Sequence, residues 1–98
     1  MHVVCLSDTH TLKPEVPDGD ILIHCGDFSG LSNTQELVNF NNWFSVFPHK
    51  YKIMVAGNHD FIFEKNINFA KSLLDPSIIY LQDESIQIEG LNIFGSPW

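Results

Sequence analysis

Three short apolar runs in this 98-residue chain each end directly in polar side chains that can do chemistry. The runs begin at His2, Asp20 and Tyr51, and the third leads into the tetrapeptide from Gly57 to Asp60. Continuous apolar runs of this length are typical of strands buried on both faces, as in a parallel sheet. Because ligand chemistry in such sheets collects at the carboxyl ends of the strands, this repeated pattern constrains the fold more than any other feature.

Helices and a C-terminal hairpin are predicted between and after these runs. An aromatic stripe at helical spacing follows Asn33 and indicates an amphipathic helix that Pro48 ends. The stripe consists of Leu37, Phe40, Trp43, Phe44 and Phe47. A second short helix is predicted from its apolar residues Phe63, Ile67, Ala70 and Leu74. The expected strands are 2–7, 20–25, 51–56, 78–81, 85–89 and 91–94, the last two joined at Gly90. The predicted fold class is therefore α/β, with a mostly parallel sheet and a C-terminal hairpin.

The charge balance argues against a nucleic-acid-binding surface. The formal net charge is −7, there is no Arg, and the five Lys are scattered along the chain. A nucleic-acid-binding protein needs a concentrated basic surface, which this sequence lacks. The acidity is compatible with carboxylates that bound cations neutralise, and equally with an ordinary acidic surface.

The sequence favours a reducing, cytoplasmic location. Cys5 and Cys25 both lie in strand-like apolar runs, so we expect two small buried thiols rather than a disulfide. Asp8, His10 and Lys13 interrupt the N-terminus too early for a signal peptide. No apolar run approaches the length of a membrane span, so no membrane contact is expected.

The polar residues at the strand ends form a candidate metal-ligand set. Aligned parallel strands would bring Asp8, His10, Asp27 and Asn58 to one edge of the sheet. Oxygen and imidazole ligands in this mixture suit Mn, Fe(II) or Zn better than Ca, and the lack of ligating thiols excludes a zinc finger. Each stretch alone is also compatible with an ordinary Asp or Gly-Asn turn. His24 lies inside the second run, before its glycine, and is interpreted as structural or as a support for the ligands.

Taken together, the strand-end motifs resemble a known family. Three sequences carry the resemblance: Asp8-x-His10, Gly26-Asp27 and Gly57-Asn58-His59-Asp60. They are similar to the first three motifs of the calcineurin-like metallophosphoesterases. The tail from Tyr80 to Trp98 resembles a branch of that family known from vertebrate brain proteins and bacterial relatives. The resemblance implies that residues 1–98 are a partial domain, the N-terminal half of a β-sandwich flanked by helices.

The resemblance also implies a site with two divalent metal ions, among which Mn is favoured over Fe and Zn. Asp8 and His10 would bind the first metal, and Asp27 would bridge both. Asn58 would bind the second metal and a phosphate oxygen. The nucleophile would be a hydroxide held between the metals, attacking phosphorus in line.

Two further residues would take part in catalysis by the same resemblance. His59 would act as general acid on the leaving-group oxygen, or at least stabilise the charge of the transition state. Asp60 would orient His59 and raise its basicity. The substrate would be a phosphomonoester or a phosphodiester, and the branch favours small phosphodiesters.

Complete members of the family supply further histidine ligands from later motifs, which this chain does not reach. One interpretation is therefore half of a hydrolase that needs a complementary C-terminal half. The alternative is a non-catalytic half-domain that binds metal or phosphate and self-associates, because a bare sheet face favours a homodimer.

Overall fold

A four-stranded sheet and a β-hairpin organise the chain. The structure, a computed structural model, describes residues 2–9, 14–28, 34–57, 60 and 67–96. Its elements are β1 (Val3–Leu6), β2 (Ile21–His24), α1 (Thr34–Phe44), β3 (Tyr51–Met54), α2 (Ile67–Ser72), β4 (Ile78–Tyr80), β5 (Glu84–Ile88) and β6 (Leu91–Gly95). The larger sheet has the order β1-β2-β3-β4, and β5 pairs with β6 in a second sheet. This mixed α/β architecture confirms the predicted fold class.

The strand pairings place the ends of the first three strands at one level. All pairings in the four-stranded sheet are parallel, and Leu6 lies beside His24, which lies beside Met54. The residues that follow β1, β2 and β3 therefore share one edge of the sheet. β5 and β6 are antiparallel, and Glu89 and Gly90 between them have φ of 51° and 82°. Two successive positive φ values are the requirement of a type I′ turn, which explains the predicted hairpin.

Several predicted boundaries are wrong by a few residues. The strands β1, β2 and β3 are shorter than the apolar runs that predicted them. Helix α1 ends at Phe44, before Pro48, and α2 ends at Ser72 rather than at Leu74. The predicted helix residues Asn33 and Phe63 lie outside the described residues.

The aromatic stripe of α1 forms the core on one face of the sheet, as predicted. Leu37, Phe40 and Phe44 are buried, while Trp43 and Phe47 pack against the same cluster with part of their surface exposed. The ring centroids of Phe40 and Phe44 are 5.0 Å apart in a stacked arrangement. Within the described ranges, no helix has the length and apolar character needed to cross a membrane.

A lysine from β3 completes the C-terminal end of α1. The last turn of α1 contains no basic residue. Lys52 is buried, and its Nζ donates hydrogen bonds to the carbonyl oxygens of Ser45 and Phe47, at 2.5 and 3.1 Å. A cation at this place satisfies free carbonyl groups and opposes the negative end of the helix dipole.

The hairpin covers the opposite face of the sheet. Ile21, Ile53 and Leu81 form a second buried cluster with Ile88 of β5. Ile86 and Ile93, which are paired across the hairpin, pack against this cluster. The strict alternation in β5 is therefore that of a half-buried strand, as predicted.

Strand β1 does not fit the expectation of burial on both faces. Its residues alternate between exposed and half-buried, and Val3 is 44% exposed. The expectation that Cys5 and Cys25 are buried is wrong, since both are exposed, although both are free thiols as predicted. The physical reason is that β1 pairs only with β2 among the described strands, and the hairpin packs over the centre of the sheet.

Candidate functional site

Three loops meet at the carboxyl ends of the strands. We call them the Asp8 loop (residues 7–9), the Asp27 loop (25–28) and the Asp60 loop (55–57 and 60). The Asp8 backbone N–H donates to the Gly26 carbonyl at 2.9 Å, so the first two loops are in direct contact. The structure thus brings Asp8 and Asp27 to the same edge of the sheet. His10, Asn58 and His59 lie outside the described residues, and their placement stays a prediction.

Both candidate ligand carboxylates sit on an unusual backbone conformation. Asp8 has φ of 54° and Asp27 has φ of 58°, in the left-handed region that non-glycine residues rarely adopt. Asp tolerates this region better than most residues, at a cost of about 1–2 kcal/mol. Such strain is concentrated at functional sites, where the surrounding structure must maintain it. The sequence analysis predicted turns here but not this conformation.

Asp60 is fully buried and joins two of the loops. Its Oδ2 accepts hydrogen bonds from the backbone N–H groups of Asp27, at 2.7 Å, and of Gly57, at 2.8 Å. Its own N–H donates to the Gly57 carbonyl at 3.1 Å. A buried carboxylate needs such donors, because an unpaired one is costly. The sequence analysis assigned Asp60 only to His59, which stays a prediction, and missed this contact between loops.

Two glycines allow the Asp27 and Asp60 loops to approach each other. A Cβ on Gly57 would overlap the backbone N and the carboxyl group of Asp27, with its Cγ only 2.6 Å away. Gly26 has φ of 104°, and a Cβ there would lie 2.6 Å from the Gly57 nitrogen. The glycines in the two motifs are thus required sterically, because any side chain would separate the loops.

His24 connects the Asp8 loop to the Asp27 loop. The ring is fully buried, with Nε2 at 3.0 Å from Thr9 Oγ1. Its Nδ1 accepts a hydrogen bond from the Gly26 N–H at 3.1 Å. Burial lowers the pKa of His24 to about 4, although the nearby Asp8 carboxylate acts in the opposite direction. The ring is therefore neutral at pH 7, and its hydrogen bonds assign the proton to Nε2.

Tyr80, at the end of β4, lies close to the Asp60 loop. Its hydroxyl donates to Gln82 Oε1 at 3.0 Å, and its side chain is buried. Burial raises the pKa of Tyr80 strongly and the Asp60 carboxylate adds to this, while a hydrogen bond with the Ala56 backbone opposes it. Tyr80 is thus a neutral neighbour of the buried carboxylate. No motif pointed to it, and only its position at a fourth strand end could have done so.

The donor set of the described residues fits a divalent cation. Asp8 is exposed and Asp27 is half-buried, whereas Asp60 is fully buried and accepts hydrogen bonds from the Asp27 and Gly57 backbone. Carboxylate oxygens suit Mn, Mg and similar hard cations. Among the described residues, no group of three or more His, Cys, Asp or Glu side chains is arranged for a metal. Two of the four predicted ligands, His10 and Asn58, are outside those residues.

Two comparisons with known proteins identify the family of this chain. A family model for calcineurin-like phosphoesterases matches residues 1–96. A UPF0046 protein of Caenorhabditis elegans is 41% identical over 113 residues, covering 100% of this chain and 39% of the relative. Human metallophosphoesterase domain-containing protein 1 is 37% identical over 120 residues, covering 97% of this chain and 36% of the relative.

The chain thus spans between 36% and 39% of the length of these two relatives. The matched segment contains the three strand-end motifs and the loops that the structure brings together. Nearly the whole chain is matched, at identities well above those of unrelated proteins. The chain belongs to the calcineurin-like phosphoesterase family.

Proposed function

We propose that this chain carries the N-terminal part of a metal-dependent phosphoesterase site that hydrolyses a phosphomonoester or a phosphodiester. The observation that carries this proposal is that Asp8 and Asp27 lie on two loops that touch at the carboxyl ends of neighbouring parallel strands. Residues in ordinary turns, such as Glu89 in the hairpin, also adopt positive φ, so the support comes from the meeting of the two loops and not from the φ values. The family membership supports the same chemistry.

The metal ligands in this proposal come from three loops. Asp8 and His10 would hold one divalent cation, Asp27 would contribute to holding both cations, and Asn58 would complete the contribution of this chain. Mn is the favoured metal, ahead of Fe and Zn, because the set mixes oxygen and imidazole ligands without thiolate. When bound, such cations supply Lewis-acid stabilisation of charge on the phosphoryl group and acidify water.

The remaining steps belong to side chains of the third motif. The amide of Asn58 positions a phosphate oxygen, and the imidazole of His59 delivers a proton to the leaving-group oxygen. Asp60 accepts a hydrogen bond from the Gly57 N–H, so the described residues before and after positions 58 and 59 are joined directly. Asp60 also accepts a hydrogen bond from the backbone N–H of Asp27, so it joins the Asp27 loop to the Asp60 loop.

We propose that full activity requires further histidine ligands from outside this chain, supplied by a complementary C-terminal half. Ligand number decides metal affinity, so four ligands of this chain alone hold the cations weakly. A cytoplasmic location belongs to the same proposal, because the free thiols Cys5 and Cys25 suit a reducing compartment.

A second candidate is a self-associating half-domain without catalysis. The observation that favours it is the exposure of apolar side chains on β1 and β6. Val3 on β1 is 44% exposed and Phe94 on β6 is 64% exposed. A second copy that covers these side chains would remove apolar surface from water.

The test is a manganese titration of the purified chain, up to cation concentrations that fill a weak site, while its residual hydrolysis of a nitrophenyl phosphodiester is followed. Turnover should depend on Mn²⁺ and should fall by about 100-fold or more in Asp27→Asn and in His59→Ala. Asp18→Asn is the matched control, because it removes an exposed carboxylate at the opposite end of the sheet. It should keep the activity of the wild type within about twofold.

Two results would contradict the proposal. Turnover that does not need a divalent cation would exclude the metal-dependent chemistry. Absence of turnover, whether or not Mn²⁺ binds, with a stable dimer in sedimentation velocity that Phe94→Ser dissociates, would establish the second candidate instead.

A further inference from the structure

We propose that His24 is a positioning residue that fixes the Asp8 loop against the Asp27 loop, and thereby sets the separation of the two metal-binding carboxylates. This inference rests on the proposed function, because the separation matters only if Asp8 and Asp27 bind cations. His24 itself binds neither metal nor substrate in this proposal, since its ring is fully buried and both nitrogens are used.

His24 makes two side-chain hydrogen bonds, one to each of the two loops. His24 is the last residue of β2. Its Nε2 donates to Thr9 Oγ1 at 3.0 Å, and Thr9 directly follows Asp8. Its Nδ1 accepts from the Gly26 N–H at 3.1 Å, and Gly26 directly precedes Asp27. One ring therefore contacts both residues that flank the candidate ligands.

A backbone hydrogen bond also connects the Asp8 loop to the Asp27 loop. The Asp8 N–H donates to the Gly26 carbonyl at 2.9 Å. The Gly26 carbonyl thus accepts a hydrogen bond from the Asp8 loop, and the Gly26 N–H donates one to His24. The His24 ring in turn contacts Thr9 of the same Asp8 loop. Asp8, Thr9, His24 and Gly26 form a continuous hydrogen-bonded group, so displacement of the ring changes the relation between the two loops.

Aromatic neighbours fix the plane of the His24 ring. The ring of Phe40 meets His24 edge-on at a centroid distance of 5.0 Å, and Phe28 and Phe44 do so at 6.2 Å each. Phe40 and Phe44 belong to the stripe of α1, which the sequence analysis assigned only to core packing. The position of α1 is thereby coupled to the loops that bear the ligands.

His24 and Asp60 divide this task between them. His24 connects the Asp8 loop to the Asp27 loop, and Asp60 connects the Asp27 loop to the Asp60 loop. Both side chains are 0% exposed, and both use their polar atoms on neighbouring loops. The three loops are thus held together by the protein alone, which lowers the cost of arranging ligands when a cation binds.

The variants separate the two hydrogen bonds of His24. Thr9→Val keeps the shape of the side chain and removes the hydroxyl that accepts from Nε2, and Thr9→Ser retains the hydroxyl. His24→Asn retains an acceptor near the position of Nδ1, while His24→Leu removes both contacts. Thr34→Val is the matched control, because Thr34 is an exposed threonine at the start of α1.

The first measurement is Mn²⁺ affinity by isothermal titration calorimetry, with the unfolding midpoint of each variant measured in parallel. Thr9→Val should bind Mn²⁺ about tenfold more weakly while remaining folded, which is the size typical of residues that support metal ligands. Thr9→Ser should recover the affinity, and Thr34→Val should not change it. Equal affinity of the wild type and of folded Thr9→Val would overturn the inference and leave the proposed function intact.

The second measurement does not depend on metal. Nitrogen NMR of the wild-type imidazole should show a neutral ring protonated at Nε2. Amide hydrogen exchange at Gly26 and Asp8 should accelerate about tenfold or more in His24→Leu and less in His24→Asn, while exchange at Leu22 stays unchanged. A ring protonated at Nδ1, or unchanged exchange at Gly26, would overturn the inference even if the chain binds no Mn²⁺. Absence of Mn²⁺ binding with the expected NMR result would reject the proposed function alone.

Discussion

The two ends of the parallel sheet hold similar polar side chains but use them differently. At the carboxyl end, His24 and Asp60 are fully buried, and their hydrogen bonds join separate loops. At the amino end, Lys50 and Glu89 form an ion pair of 2.9 Å whose side chains are 66% and 43% exposed. Burial makes a hydrogen bond restrictive, whereas solvent makes a surface ion pair weak and replaceable.

A buried histidine at each end sharpens the contrast. His49 is buried at the amino end, where its Nε2 contacts the Pro17 carbonyl at 3.0 Å and its Nδ1 has no hydrogen-bond partner among the described residues. His24 uses both nitrogens. Both histidines are buried, but only His24, at the carboxyl end, has a hydrogen-bond partner for each ring nitrogen among the described residues. Hydrogen bonding, and not burial alone, therefore distinguishes the end of the sheet that carries the candidate site.

The largest expected effect is at Gly57. Gly57→Ala places a Cβ against the backbone and carboxyl group of Asp27, so the Asp27 and Asp60 loops must separate. We expect a loss of about 3 kcal/mol in the free energy of unfolding, the upper range for overpacking. Urea denaturation measures it. Gly90→Ala is the comparison, since a Cβ there would meet nothing within 4 Å, and its smaller loss would come only from the positive φ of 82°. Equal losses of unfolding free energy in Gly57→Ala and Gly90→Ala would contradict the tighter packing expected at the carboxyl end of the sheet.

The next effect is a pH dependence that belongs to His24. The folded pKa of about 4 lies below the ordinary value of 6.5, so the unfolded chain binds the proton more readily. Stability should therefore fall as pH decreases below 6.5, by about 2 kcal/mol between pH 7 and pH 5 in the metal-free chain. Chemical denaturation at both pH values measures it, and His24→Asn should lack this part of the decrease. An identical decrease in that variant would contradict the assigned burial.

A smaller effect is expected at Lys52, which serves α1 rather than the site. Lys52→Met keeps the buried stem and removes the donor to the Ser45 and Phe47 carbonyls. We expect a loss of about 1–2 kcal/mol in unfolding free energy, the usual cost of leaving buried acceptors unpaired. Mn²⁺ affinity should stay unchanged. A large loss of affinity would show that the support of α1 by Lys52 and the candidate metal site are not independent.

The smallest effect is expected at the amino end. Glu89→Gln removes the charge that accepts from Lys50 Nζ and the Tyr51 hydroxyl. We expect no measurable change in the unfolding midpoint or in Mn²⁺ affinity, because solvent and salt screen an exposed ion pair. A clear decrease in Mn²⁺ affinity would place a functional cation at the wrong end of the sheet.

Much of the fold could be predicted from hydrophobic patterns. Continuous apolar runs predicted the parallel strands, and alternation around Gly90 predicted the hairpin. The runs could not show that β1 pairs on one side only among the described strands, so the exposure of Cys5 was missed. Lys52 was not predicted to be buried, because its partners lie at the end of a helix five or more residues away.

The candidate site could be predicted less completely. Residue types and their positions after strands pointed to Asp8 and Asp27, but the φ values depend on how the loops pack together. The contacts of Asp60 follow from the close approach of Gly57 to the Asp27 loop. That approach is a tertiary feature, which no local motif describes.

The most direct test of the account is the location of a bound cation. Crystals of the chain grown with Mn²⁺ should give an anomalous scattering peak between the carboxylates of Asp8 and Asp27, and Asp27→Asn should abolish it. A peak beside Glu89 and Asp20, or persistence of the first peak in Asp27→Asn, would contradict the claim that the three loops form the metal site.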